Sequence, residues 1–150
     1  MITLTTRNTD CPDFKYDPHN RNFNCKVSPN GSKVILSHGW WFSQTYLLEI
    51  TPGSSVDIRD LKDTSRLAWF PDSKRIAYLR SLRCDHEHHN GECCDLVVQC
   101  LASGQITTIH RWYNIEVLYY KVFVTPDGAS LVITHKEGMK SEFRTWDVSD

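Results

Sequence analysis

The chain has 150 residues, of which 40% are hydrophobic and 23% charged, so it is long enough to bury a core and is neither disordered nor fibrous in composition. A formal charge of −1 without basic or acidic blocks gives no reason to expect nucleic acid or an anionic membrane as partner. No apolar run approaches the roughly 20 residues of a bilayer span, and residues 1–8 lack the basic and apolar regions of a signal peptide, so a soluble cytoplasmic protein is expected.

In chain order, the first structured signal is Val27-Ser28-Pro29-Asn30-Gly31-Ser32-Lys33-Val34-Ile35-Leu36, a β-rich stretch that turns at Pro-Asn-Gly and enters a second strand. Proline presets φ for the turn, Asn bonds back to the backbone, and Gly tolerates positive φ. An apolar stretch at 46–50, a turn at Pro52-Gly53 and a candidate fourth strand at 55–58 follow. The signature returns as Trp69-Phe70-Pro71-Asp72-Ser73-Lys74-Arg75-Ile76-Ala77-Tyr78, with strands expected at 96–100 and 105–109 around a Ser103-Gly104 turn. Residues 115–124 carry apolar side chains on both alternating faces, the pattern of a strand buried on both sides. The third copy is Val124-Thr125-Pro126-Asp127-Gly128-Ala129-Ser130-Leu131-Val132-Ile133, with a further strand over 143–148.

The repeat prolines stand at 29, 71 and 126, spacings of 42 and 55. The first matches the about 40–45 residues of a four-stranded propeller blade. The second is longer by 13, and the excess falls in residues 82–94, where a loop absorbs length cheaply. The reading is all-β, three β-propeller blades at about 20–60, 64–110 and 115–150 in a single domain. A β-sandwich whose hairpins share turn chemistry is the alternative.

The Ser-Pro-Asn-Gly-Ser-Lys-Val-Ile-Leu and Pro-Asp-Ser-Lys-Arg-Ile-Ala-Tyr runs resemble the WD40-like repeat of the TolB-type β-propeller family, over about residues 20 to 150. The resemblance implies a propeller, and Ile2-Thr3-Leu4-Thr5-Thr6 resembles the fourth strand that precedes a blade in that family. Propellers have typically about four to eight blades, so three leave an open arc with apolar faces that require a partner. The third blade stops before its fourth strand. Two completions are expected: a twofold homodimer forming a six-bladed ring, residues 2–6 of each chain completing the partner's third blade, or a longer propeller of which this is a part. Family members are often periplasmic or joined to peptidase domains; the chain shows neither an export signal nor a second domain, which argues for a different role.

The excess stretch reads Cys84-Asp85-His86-Glu87-His88-His89-Asn90-Gly91-Glu92-Cys93-Cys94. In a cytoplasmic protein such cysteines read as reduced thiols or metal ligands before disulfides. Asn90-Gly91 is a type I′ hairpin signal, and a loop there sets His88 opposite Cys93 and His86 opposite Asp95. Opposed residues have Cβ atoms about 4.5–5.5 Å apart, so zinc is the candidate cofactor, on His86, His88 and Cys93 with Asp95 or a bent-in Cys84 as fourth ligand. A disulfide or a solvated polar tip are the alternatives. Nine residues past the repeat prolines stand His38, Arg80 and His135, at equivalent blade positions and suited to an anionic ligand, or else solvated strand ends. Trp40 and Trp41 follow His38 as candidate contact aromatics.

The His-Glu-x-x-His zinc-protease pattern fails at Asn90, and neither a Gly-x-Ser-x-Gly elbow nor a phosphate-binding glycine loop occurs. The expected function is a non-catalytic interaction module for a protein or peptide, without nucleic acid or membrane. The alternative is a metal-dependent hydrolase or lyase, which would need an open metal position facing Glu87 or Glu92.

Overall fold

A computed structural model describes residues 23–38, 44–49, 57–61, 64–86, 89–113, 120–137 and 140–149, the side chains of 23, 38, 44, 57, 83–86, 89–92, 135–137 and 140–141 excepted. The described secondary structure is antiparallel strand throughout, and no helix among those residues is long and apolar enough to cross a membrane. The chain divides into two compact units, Met1–Lys62 and Asp63–Asp150.

The first unit holds one four-stranded meander: β1 (Phe23–Val27), β2 (Lys33–His38), β3 (Gln44–Glu49) and β4 (Asp57–Asp60), hydrogen-bonded in sequence order. The β1–β2 turn is built as its sequence demands. Gly31 adopts φ 74°, Gly31 N donates to Ser28 O at 2.9 Å, and Asn30 Oδ1 accepts from Ser32 N at 3.1 Å. Leu47 and Leu48 on consecutive positions of β3 are both buried, so this strand is covered on both faces.

The second unit holds two sheets. One contains β5 (Thr64–Trp69), β6 (Arg75–His86), β7 (His89–Cys100) and β8 (Ile106–Tyr113), again in sequence order. The other contains β9 (Tyr120–Val124), β10 (Ser130–Glu137) and β11 (Lys140–Asp147). The two repeat turns here reproduce the β1–β2 turn: Asp72 Oδ1 accepts from Lys74 N at 2.7 Å and Asp127 Oδ1 from Ala129 N at 3.0 Å. Gly128 has φ 74°, whereas Ser73 takes the same left-handed conformation, at φ 57°, with a side chain attached. The turns also touch: a Cβ at Gly128 would sit 3.4 Å from Pro71 Cδ.

The core of this unit lies between its sheets. Phe70, Ala77, Leu79, Cys94, Leu96 and Trp112 from the four-stranded sheet meet Val122, Leu131 and Ile133 from the three-stranded one. Burying six or more large apolar side chains here at about 1.5–3 kcal/mol each is the main force joining the sheets. The Arg75 guanidinium lies 4.5 Å above the Phe70 ring and shields it at the turn end. The far face of the four-stranded sheet is buried as well, through Ile76, Tyr78 and Val97, and Tyr78 Oη donates to Gln99 Oε1 at 3.1 Å.

Two expectations change. The fourth strand of the second repeat is longer than 105–109, reaching Tyr113. The expected two-sided burial over 115–124 does not hold in β9, where Val122 is buried but Phe123 is 48% exposed. The reason is that a sheet packs on one face of β9 only; residues 114–119 lie outside the described residues.

Candidate functional site

The longest strands among the described residues, β6 and β7, form a hairpin whose ladder runs without a shift from Arg75↔Cys100 to His86↔His89. Asn90 and Gly91 are therefore ladder residues, opposite Asp85 and Cys84, and not the loop their local chemistry suggested. The cause is non-local. Pairs such as Tyr78↔Val97 and Leu79↔Leu96 are locked in register by burial, and a one-residue slip would turn their apolar side chains to the wrong face. That register runs unbroken out to His86↔His89; residues 87–88 lie outside the described residues.

The new register rearranges the proposed zinc ligands. Cys93 stands opposite Leu82, Asp95 opposite Arg80, Cys84 opposite Gly91 and His86 opposite His89. Cys93 is thus four residues along β7 from the partner of His86, about 13 Å at roughly 3.3 Å per residue. Cys93 is also engaged in a disulfide, contrary to the expectation of reduced thiols, and a disulfide sulfur is not a thiolate donor. Among the described residues no group of three His, Cys, Asp or Glu converges as a metal site. His88, Trp40 and Trp41 lie outside them, as do the side chains of Cys84 and His86.

Asp95 instead forms an ion-paired hub. It is fully buried, and it sits between Arg80 on β6 and Arg111 on β8, each directly opposite it in a ladder. Arg111 grips it with two bonds, Nε to Oδ1 at 2.6 Å and Nη2 to Oδ2 at 2.9 Å, and Arg80 Nη2 donates to Oδ2 at 3.1 Å. The Arg111 hydrogen bonds hold the Asp95 carboxyl below its ordinary range against the opposing effect of burial, with Arg80 adding to the shift. In return Asp95 raises the Arg111 guanidinium further above its normal value. The side chains of Arg80 and Arg111 are 24% and 40% exposed, so the hub has one buried anion and two cations that reach the surface.

Arg80 was singled out from repeat register along with His38 and His135, and the three occupy matching rungs of their own sheets. His38 pairs with Phe23 and Gln44, Arg80 with Thr64 and Asp95, and His135 with Tyr120 and Glu142. The side chains of both histidines lie outside the described residues.

Arg111 was missed because the fourth strand was ended at 109. The alternation of Ile109, Arg111 and Tyr113 against His110 and Trp112 was the available signal. The same extension carries a second feature. His110, Trp112, Tyr120 and Trp146 form an aromatic cluster, with Trp112 ring centroids 4.5 Å from His110, 5.6 Å from Trp146 and 6.1 Å from Tyr120. Beside it Trp112, Tyr120, Ile133, Glu142 and Arg144 line a shallow recess.

The cysteines next to this region differ in reactivity. Burial pushes the Cys94 thiol up to about 12, with the Asp95 charge adding to it. Hydrogen bonds from Ser103, side chain then backbone, lower that of Cys100. Iodoacetamide treatment of the folded protein at a pH of about 8 is expected to label Cys25 and Cys100 and to spare Cys94. Peptide mapping reads the result; labelling of Cys94 at the rate of the exposed thiols would show that the core opens there.

Neither a family model nor a curated protein matches the chain. Solved structures do. It is similar to the acylaminoacyl peptidase of Pyrococcus horikoshii, with TM-score 0.52 and 14% identity over 84% of this chain and 23% of that one. The β-propeller domain of the Trilobed protease from Pyrococcus furiosus, described as having an open velcro topology, matches with TM-score 0.55 and 18% identity over 84% of this chain and 38% of that one. Prolyl oligopeptidase B from Galerina marginata, bound to a 35mer substrate, gives TM-score 0.53 and 16% identity over 85% of this chain and 20% of that one.

The sheets are β-propeller blades. The chain spans well under half the length of each of these proteins. At such identities the likeness concerns the fold, and the TolB-type resemblance rests on the three repeat motifs alone.

Proposed function

We propose that this chain is a non-catalytic β-propeller module that docks a protein or peptide partner, and that its first partner is a second copy supplying the next blade. The observation that carries this reading is the outward face of the β9–β11 blade. There Phe123 is 48% and Phe143 69% exposed, while the opposite face of the same blade is packed against β5–β8. Repeat register makes the outward face equivalent to a buried one. Val132, six residues past its proline, pairs with Phe123 and Thr145 as Ala77 pairs with Ala68 and Val98. Thr134 pairs with Phe143 as Leu79 pairs with Leu96. In the β5–β8 blade Ala77, Leu79 and Leu96 belong to the core against the neighbouring blade, so the matching surface of β9–β11 has the form of a blade-docking face. Two exposed phenylalanines with a Val between them are an association surface in themselves.

In the proposed dimer residues 2–6 of the second copy, which lie outside the described residues, pair with the β11 edge of the β9–β11 sheet, giving two interlocked halves of a six-bladed ring. The peptide class of ligand is carried over from the similar peptidases, one of which, prolyl oligopeptidase B, is bound to a 35mer substrate.

Sedimentation velocity at micromolar concentration tests the reading. The expected species is twice the 17.4 kDa chain. Phe123→Lys with Phe143→Lys, at positions exposed in the single chain, is expected to give a folded monomer. A wild-type monomer, or a double variant that stays dimeric, would overturn the proposal.

A further inference from the structure

Arg80, Asp95 and Arg111 stand on one row of the β5–β8 blade, at adjacent rungs of three consecutive strands, and therefore on one face of the sheet. Their charges do not cancel. Among the described residues Asp95 is the one carboxylate paired to either arginine, which leaves a surplus positive charge. Asp95 Oδ1 and Oδ2 together accept three hydrogen bonds from the two guanidinium groups. Each guanidinium carries about five N–H donors, so the greater part of the donor capacity is not spent on Asp95. The Arg80 Nε is itself buried without a hydrogen-bond partner.

The surroundings suit a ligand more than a purely structural triad. Asp95 is sealed from water, whereas the side chains of Arg80 and Arg111 are 24% and 40% exposed. Tyr113 follows Arg111 by two positions on the same face of β8, interacts with it, and is 46% exposed. The next row on this face, toward the end of the hairpin, holds Leu82, Cys93 and Tyr113. The result is two guanidinium groups fixed by one buried carboxylate, with a row of Leu82, Cys93 and the exposed Tyr113 phenol beside them. Fixing the cations in advance removes the entropy that long, free side chains lose on binding.

We infer that Arg80 and Arg111, held in place by Asp95, bind a carboxylate of a peptide, either its C-terminus or an Asp or Glu side chain. A carboxylate has two oxygens in one plane, the shape that a planar guanidinium fork recognises with paired hydrogen bonds. This site lies on a different blade from the β9–β11 docking face and stands or falls independently of the dimer.

Titration of the full chain with three acetylated pentaglycine peptides tests it: one with a free C-terminal carboxylate, one amidated, and one amidated with Glu at the centre. At least one carboxylate-bearing peptide is expected to bind, about tenfold or more tighter than the neutral amide, and the affinity is expected to fall with added salt. Whether the free terminus or the Glu is preferred identifies the source of the carboxylate. Arg80→Gln keeps a donor for Asp95 and leaves the bidentate Arg111 bond in place, so the fold is expected to survive, with thermal melting as the check. Its affinity is expected to drop by about tenfold, as is that of Arg111→Lys, which retains the charge and loses the fork. The inference is overturned if the amide binds as well as the acids, or if both folded variants bind like wild type. It is equally overturned if inorganic phosphate binds and the peptides do not, or if no carboxylate peptide binds below ~10 mM. Peptide binding that ignores charge and both substitutions would leave the peptide-module reading standing while removing this site.

Discussion

Replacing Asp95 by Ala is expected to lower the unfolding free energy by about 3 kcal/mol, a large share of the roughly 5–15 kcal/mol that holds a domain folded. The substitution removes the only buried member of the hub and leaves Arg80 and Arg111 facing each other without the carboxylate between them. Breaking a fully buried pair costs about 3–5 kcal/mol; the lower end applies because both arginine side chains reach solvent and are partly screened there. The pH dependence has a definite sign. The folded-state value of Asp95 lies below the unfolded 3.8, so its contribution is fully present above the unfolded value and is lost as pH falls through the folded one. Urea unfolding followed by circular dichroism should show the wild type losing stability in acid, and the Ala variant losing less over the same interval. A loss under about 1 kcal/mol with an unchanged acid limb would mean that the hub contributes little to folding.

The second large effect is expected at Phe70. Its side chain is fully buried, lies in the shared core of the two sheets and is covered by Arg75. Truncating a buried Phe to Ala costs about 3–5 kcal/mol through lost transfer free energy and the cavity left behind. Phe70 also immediately precedes the repeat proline, where the Pro71 turn meets the Gly128 turn, so the cavity opens at the point where the two blades are joined. Thermal unfolding of Phe70→Ala is expected to shift down by more than about 15 °C. A shift of a few degrees would show that the blades are held together elsewhere.

The parts of this fold legible in the sequence were those specified locally. Pro-Asn-Gly, Pro-Asp-Ser and Pro-Asp-Gly carry their own turn chemistry, and the side-chain acceptors Asn30, Asp72 and Asp127 form the bonds those residue types are suited to form. The parts that were not legible depend on distant contacts. The Asn90-Gly91 pair is a strong local turn signal, yet the burial of Leu79 and Leu96, five to six rungs away along the ladder, set a register in which it lies within a strand. Arg111 escaped notice for a related reason. Its role exists only because β7 and β8 pair beyond their register shift between Leu96 and Val97 and so set it opposite Asp95, which the local alternation over 109–113 does not by itself reveal. The irregularity in β5 between Ser65 and Ala68, with Arg66 at φ 52°, also has no turn-forming residue to mark it.

The length of the β6–β7 hairpin has a consequence for how the molecule could change over time. Pairing of β5 with β6 ends at Thr64↔Arg80, and pairing of β7 with β8 ends at Cys93↔Tyr113. Among the described residues, the four rungs beyond, from Arg83↔Glu92 to His86↔His89, have no third strand paired to them. An isolated two-stranded ribbon contributes little stability of its own, so the blade and its extension are nearly separate in thermodynamic terms. Residues can be added to, removed from or exchanged in that extension while the three-strand rungs up to Cys93 keep the blade intact. The stretch dense in cysteine and histidine thus occupies the part of the molecule where new chemistry can be tried at least risk to the fold.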